Sequence, residues 1–291
     1  MPRAHRIGER NLIQRLPNGA VLVDHGPMRL SVYVSEKGKV LASLAEEGGL
    51  LALELLQELA RFLPLLKRRS VELDEEGPYP EIVKRMIRAT KEMGEPDLTP
   101  LAAVAGTISE MVADFIFHQG GTRVIVENGG DIALRMREGE VVKVGIRSEI
   151  ETPRPSFLVT VDSSMEVGGV ATSGLGGRSF TKGIASAATV FARKASSADA
   201  AATVVGNFTN LDAPEIARAL AESLYPDTDI AGQWVTTRVG MLLSHQVEQA
   251  LKNGLSKASE LRRKGLIQGA FIAVQGKTLW TDSLSGRLAP L

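Results

Sequence analysis

Apolar positions recur along the chain with two different periods, and the period decides which element each stretch predicts. Residues 44–66 carry Leu51, Leu55, Leu59, Phe62 and Leu66 on one helical stripe. Lys67-Arg68-Arg69 closes that helix as a solvated basic end, which the helix dipole favours. Glu72 to Pro80 is an acidic, proline-bearing linker, and residues 80–93 predict a second helix stopped by Gly94 and Pro96. Thr99-Pro100 opens a third helix running to about His118. Its small residues Ala102, Ala103, Ala105 and Gly106 suit close packing on another helix, or the approach of a ligand. Residues 213–224, opened by Ala213-Pro214, and 241–264, with Leu251, Leu255, Ala258 and Leu261 aligned, predict two further helices.

Strand-like runs lie between them. Residues 20–25 and 28–35 flank His25-Gly26-Pro27, and the alternation from Met28 to Val34 buries one face. His25 reads as a turn histidine. Runs at 122–128, 131–137, 140–147 and 157–162 follow, with Glu138-Gly139 marking a hairpin and Pro153 and Pro155 interrupting the sheet. Residues 233–239 read as a strand, and 269–274 with 278–280 form a last hairpin around Gln275-Gly276-Lys277. Long helices among paired strands predict an α+β fold, one domain over residues 1–291, with helices packed on mixed or antiparallel sheets.

Composition narrows the function classes. The 291 residues are 44% hydrophobic, enough for a substantial core, and Lys+Arg and Asp+Glu balance at 34 each. Zero net charge and 4% aromatics argue against nucleic-acid binding, which needs a basic face and stacking rings. With no cysteine there is no disulfide, thiolate nucleophile or Cys-based metal site. His5, His25, His118 and His245 have no metal-ligand spacing, so any metal takes oxygen ligands. The start Met1-Pro2-Arg3-Ala4-His5-Arg6 has no apolar region of a signal peptide. The nearest approach to a membrane span, residues 50–66, is interrupted by Glu54, Gln57, Glu58 and Arg61. A cytoplasmic protein without membrane partners is the expectation.

Three polar stretches stand out. Glu127-Asn128-Gly129-Gly130-Asp131 sits between two strand-like runs. It is either a hairpin turn or a place where the Gly129 and Gly130 backbone touches a ligand that Asp131 binds. Residues 168–183 are rich in glycine and hydroxyls and carry Arg178 and Lys182. This stretch is either a mobile surface loop, least ordered over 174–183, or a cradle whose N–H groups and cations take phosphate. No G-x-x-x-x-G-K-[ST] motif is present. Ser196 and Ser197 then cap an alanine-rich helix on which Asp199 and Thr203 share a face. That pair either places an acid in a first helical turn or holds a hard cation such as Mg²⁺.

In order, Gly129 to Ile132, Ala171 to Gly174 and Ala198 to Thr203 resemble three motifs of the ApbE-like proteins. The likeness covers about residues 99–210 and is similar to an uncharacterised branch of that family. ApbE proteins are Mg²⁺-dependent flavin transferases that cleave FAD and attach FMN to a threonine of a target protein. The resemblance implies Mg²⁺ on Asp199 and Thr203. It also implies FAD, FMN or another nucleotide against Gly129, Gly130, Asp131, Thr172, Ser173 and Gly174, where the loop cations Arg178 and Lys182 are the candidates for its phosphates, with a target protein as partner. Two departures matter. The family's Lys-Gly-x-x-x-Asp helix start reads here Ala105-Gly106-Thr107-Ile108-Ser109-Glu110, and its His-Ile-Ile-Asp-Pro segment is missing after Phe180. They leave open a binding protein that has lost the transferase or FAD pyrophosphatase chemistry, and an oligomeric structural protein.

Overall fold

The computed structural model describes residues 12–291; the start of the chain, including His5, lies outside the described residues. Fifteen strands alternate with five long helices among the described residues. The strands are β1 (Ile13–Arg15), β2 (Val21–His25), β3 (Met28–Glu36), β4 (Lys39–Val40), β5 (Arg123–Asn128), β6 (Asp131–Met136), β7 (Val141–Ile146), β8 (Phe157–Asp162), β9 (Gly169–Ser173), β10 (Ala187–Ala192), β11 (Ile216–Leu220), β12 (Trp234–Val239), β13 (Gly269–Val274), β14 (Lys277–Trp280) and β15 (Leu288–Pro290). The helices are α1 (Ala42–Arg61), α2 (Glu81–Glu92), α3 (Val104–His118), α4 (Ala195–Phe208) and α5 (Ser244–Arg263).

One large sheet, ordered β1-β2-β3-β5-β6-β9-β10-β13-β14 with β4 on β3, is antiparallel at every pairing. It takes strands from both ends of the chain. Helices cover one face of it, and a small sheet β15-β8-β7 covers part of the other. The side-chain alternation of β10 and β13 shows why. Ala188, Val190, Ala270 and Ile272 face the helix-side core, while Phe191, Phe271 and Ala273 face the small sheet with Val144, Val159 and Val161. Strands buried on both faces lose the polar alternation of a half-exposed strand. The fold is α+β, as the helix and strand pattern predicts.

Several boundaries differ from the sequence reading. The first helix ends at Arg61, and a separate turn, Leu63–Leu66, follows with Pro64 near its start. Lys67 is not merely solvated, because its ammonium pairs with Asp227. The third helix begins with a 3-10 turn, Pro100–Ala103, and becomes α-helical at Val104. The stretch predicted as a helix over 213–224 splits: Ile216–Leu220 is β11, bulged between Ala217 and Arg218 and paired with β12, and only Ala221–Leu224 is helical. Arg218, at that bulge, donates to the Asn210 side chain and the Leu211 carbonyl. The most apolar long helix is residues 100–118, mean hydropathy 1.4, rather than 50–66. It is a core helix, packed between α1, α4 and the sheet.

Candidate functional site

The first part of the glycine-rich stretch is a strand, not a loop. β9 pairs with both β6 and β10, so Gly169–Ser173 lies inside the sheet. Glycine is required there because α4 starts directly over it: a Cβ on Gly169 would stand 2.2 Å from Ala195 Cα. The close approach brings the end of β9, the start of β6 and the first turns of α3 and α4 to one place. Asn128 and Asp131 bracket the two-residue turn Gly129-Gly130, whose φ values are 65° and 108°. Asp131 is thereby the first residue of β6.

Two adjoining cavities of about 390 and 340 Å³ form one cleft, and both are lined by Asp131, Arg178, Ser179, Asp199 and Thr203. The inner cavity adds Asn128, Gly129, Thr172, Ser173 and Gly174. The outer one adds Lys67, Asp97, Phe180, Lys182, Tyr225, Asp227 and Asp229. Asp131, Thr172, Asp199 and Thr203 thus share one cleft although far apart in sequence. Gly130 does not face it; its N–H donates to Glu127 on the solvent side of the turn at 3.0 Å. Arg178 reaches across to the Pro27 carbonyl at 2.6 Å, and its guanidinium would lie 3.4 Å from a Cβ at Gly129. Lys182 pairs with Asp97 in the outer wall, while its backbone N–H donates to Asn207 at 2.9 Å. The 174–183 segment is tied down further by Leu175 N–H on the Ala185 carbonyl at 2.9 Å. Thr172 and Thr189 share a hydroxyl hydrogen bond at 2.9 Å.

The helix-start reading of Asp199 needs correction. α4 begins at Ala195, neither Ser196 nor Ser197 is its cap, and Asp199 lies beyond its first turn. The carboxylate instead serves another helix: Asp199 Oδ2 accepts from the Gly106 N–H of α3 at 2.8 Å. Gly106 allows this crossing, since a Cβ there would meet the Ala195 carbonyl oxygen at 2.3 Å. The small-residue face therefore does both jobs: Gly106 packs, and Ala102 and Ala105 line the cleft. Burial pushes the Asp199 carboxyl up to about 7, against the Gly106 and Ala105 N–H groups, which pull it down. Asp131 is raised well above the ordinary carboxylate range by burial first, then by the charges of Asp199 and Glu127; the Thr172 N–H opposes this.

Two carboxyls that resist ionising side by side are a donor set a cation would relieve. Among the described residues no cluster of three or more His, Cys, Asp or Glu side chains could hold a metal. Two carboxylates with a threonine hydroxyl nevertheless fit Mg²⁺, which commonly takes one or two carboxylates and completes its shell with water and substrate phosphate. Sequence reasoning did not find Asn128, Asp97, Ser179 or the acids Asp227 and Asp229, because nothing local marks them and only the fold brings them to the cleft. His25 is exposed at the end of β2.

A family model described as AbpE bacteria matches residues 13–280. The UPF0280 protein of Methanosarcina barkeri is 41% identical over 132 residues, 45% of this chain and 50% of that protein. The UPF0280 protein of Methanopyrus kandleri is 41% identical over 138 residues, 47% of this chain and 53% of that one. The chain spans about half the length of these curated relatives in the matched region. Among solved structures, the apo flavinyl transferase ApbE of Pseudomonas stutzeri aligns with a TM-score of 0.51 at 14% identity, covering 95% of this chain and 98% of that one. The flavin transferase ApbE of Vibrio cholerae gives 0.51 at 14% identity over 94% and 99%. At such identity these structures carry the fold alone.

Proposed function

The chain belongs to the AbpE bacteria family, and on that premise we propose that it acts on FAD as a flavin transferase-like protein with a divalent cation in the cleft. The observation that carries the proposal is the pairing of Asp131 and Asp199. Two half-buried acids on separate elements, each driven toward its neutral form, are costly to keep ionised without a positive partner.

In this reading Asp131, Asp199 and Thr203 hold Mg²⁺ between them. The cation supplies charge to the pyrophosphate oxygens of FAD. The turn backbone at Gly129 and the backbone of Ser173-Gly174 approach the bound dinucleotide, where no side chain intervenes. Arg178, braced on the Pro27 carbonyl, offers its remaining N–H groups to phosphate. Thr172 orients Asp131 through its backbone N–H. An acceptor hydroxyl forms the new P–O bond to the FMN phosphorus, the bond to the AMP oxygen breaks with its electron pair, and the hydroxyl proton leaves to solvent. A protein hydroxyl as acceptor gives transfer; water gives FMN and AMP.

Ala105 favours a second reading. It lines the cleft where the family resemblance leads one to expect a lysine, so the cleft can hold flavin without the charge that chemistry needs. Incubation with FAD, with and without Mg²⁺, separates the two. Release of FMN that requires Mg²⁺ supports catalysis. Tight Mg²⁺-dependent FAD binding with no release supports the binding protein, and no FAD binding under either condition removes both.

A further inference from the structure

Behind the cleft, the crossing of α3 and α4 holds a contact that the candidate site does not use. Glu110 stands one helical turn beyond Gly106, on the same face of α3. It is buried, 4% exposed, in a position where a lone carboxylate would be costly. Its Oε2 accepts from the Ser196 N–H at 3.1 Å and from the Ser196 hydroxyl at 2.8 Å. Its Oε1 accepts from Arg85 of α2 at 3.2 Å. Arg85 also donates to Asp114 at 2.9 Å, and Asp114 is held by Arg135 of β6.

Asp199 makes the mirror contact on the cleft side, with its Oδ2 on the Gly106 N–H. Each helix therefore sends a carboxylate to the first turn of the other. Both carboxylates satisfy N–H groups that have no partner within their own helix, and both sit at the positive end of a helix dipole. Between the two contacts the backbones touch at Gly106 and Ala195. One such hydrogen bond would leave α4 free to pivot about it. Two, on opposite sides of the contact, set both its rotation and its slide along α3.

We propose that Glu110 is a positioning residue: through Ser196 it places α4, and with it Asp199 and Thr203, at the height where they meet Asp131 in the cleft. The geometric part stands on the crossing itself; the consequence for metal binding rests on the cation reading of Asp199 given above. Arg85 braces Glu110 through Oε1, linking the placement to α2 and, through Asp114 and Arg135, to the strand that carries Asp131.

Two readouts on the full chain test this in wild type, Glu110→Ala, Glu110→Gln and Ser196→Ala. The first is the Gly106 amide in a proton–nitrogen NMR spectrum, whose shift and hydrogen exchange report the bond to Asp199. The second is binding of Mn²⁺ alone, followed by electron paramagnetic resonance. Glu110→Ala should move the Gly106 resonance, speed its exchange more than that of β10 and β13 amides, and weaken Mn²⁺ about tenfold, as loss of a residue orienting a ligand does. Glu110→Gln keeps an oxygen for Ser196 and should restore both readouts to near wild type. Ser196→Ala, with one of the two bonds left, should fall between.

The inference is overturned if Glu110→Ala lowers only the melting temperature while the Gly106 amide and Mn²⁺ affinity stay at wild-type values. It is also overturned if Glu110→Gln behaves like Glu110→Ala, because then charge toward Arg85, not the contact with Ser196, is what matters. Should Glu110→Ala fail to fold, an unmoved Gly106 amide in Ser196→Ala overturns it equally. A wild type that binds no Mn²⁺ defeats the cation reading of the cleft, and the Gly106 amide alone then decides whether Glu110 positions α4.

Discussion

Asp199 is the residue on which the physical chemistry bears most sharply. Folded, it holds its proton up to about pH 7, whereas an unfolded aspartate releases it near 3.8. Between those values the folded state binds more protons, so this group's contribution is fully present below the lower value and is lost as pH rises through the upper one. The Asp199→Asn variant has no such titration, and its amide still offers an oxygen to the Gly106 N–H. In chelator, the melting temperature of wild type should therefore fall relative to Asp199→Asn between about pH 5 and about pH 8. A gap that stays constant over that range would remove the buried-carboxylate account. Adding Mg²⁺ at the upper pH should raise wild type and leave Asp199→Asn unchanged, because a hard cation binds carboxylate far better than amide. Equal Mg²⁺-dependent FAD affinity in the two proteins would take Asp199 out of the proposed metal site.

Among the elements, the crossing of α3 and α4 decides the geometry, and Gly106 decides the crossing. In an exposed helix, alanine is better than glycine by about 1 kcal/mol. At Gly106 the new Cβ would meet a backbone carbonyl at 2.3 Å and the Asp199 Cβ at 2.8 Å, and neither is the end of a flexible side chain. Gly106→Ala should thus reverse the usual sign and destabilise by about 1–3 kcal/mol. Urea unfolding would show this as a lower midpoint with an unchanged slope; a midpoint at or above wild type would mean that the helices separate freely. The same element scale explains the helix predicted over 213–224. Ile216 to Leu220 has ordinary helix formers, but β12 supplies a ladder and Arg218, at the bulge, donates to the Leu211 carbonyl, and tertiary pairing outweighs a weak local preference.

For the whole molecule, the cleft joins elements separated by most of the chain, so occupancy should stabilise the fold as a unit. FAD with Mg²⁺ at 100 times its dissociation constant should add about 2.7 kcal/mol by linkage, read as a rise in melting temperature larger than with either alone. An additive or absent response would mean that metal and flavin do not share the cleft. Asp131, Thr172, Asp199 and Thr203 stand out through their likeness to ApbE-like motifs; what the sequence by itself determined was local: the long amphipathic helices, the alternating strands β3 and β5, and the turn at Gly129-Gly130. Those depend on periodicity, turn chemistry and residue type, which neighbours in sequence specify. What only the tertiary structure decided was who meets whom. Gly169–Ser173 became a central strand because β6 and β10 lie on either side of it, where glycines alone read as loop. Asp199 and Glu110 became partners of the opposite helix, since a carboxylate capping a helix 93 or 86 residues away leaves no periodic or spacing signal in its own segment.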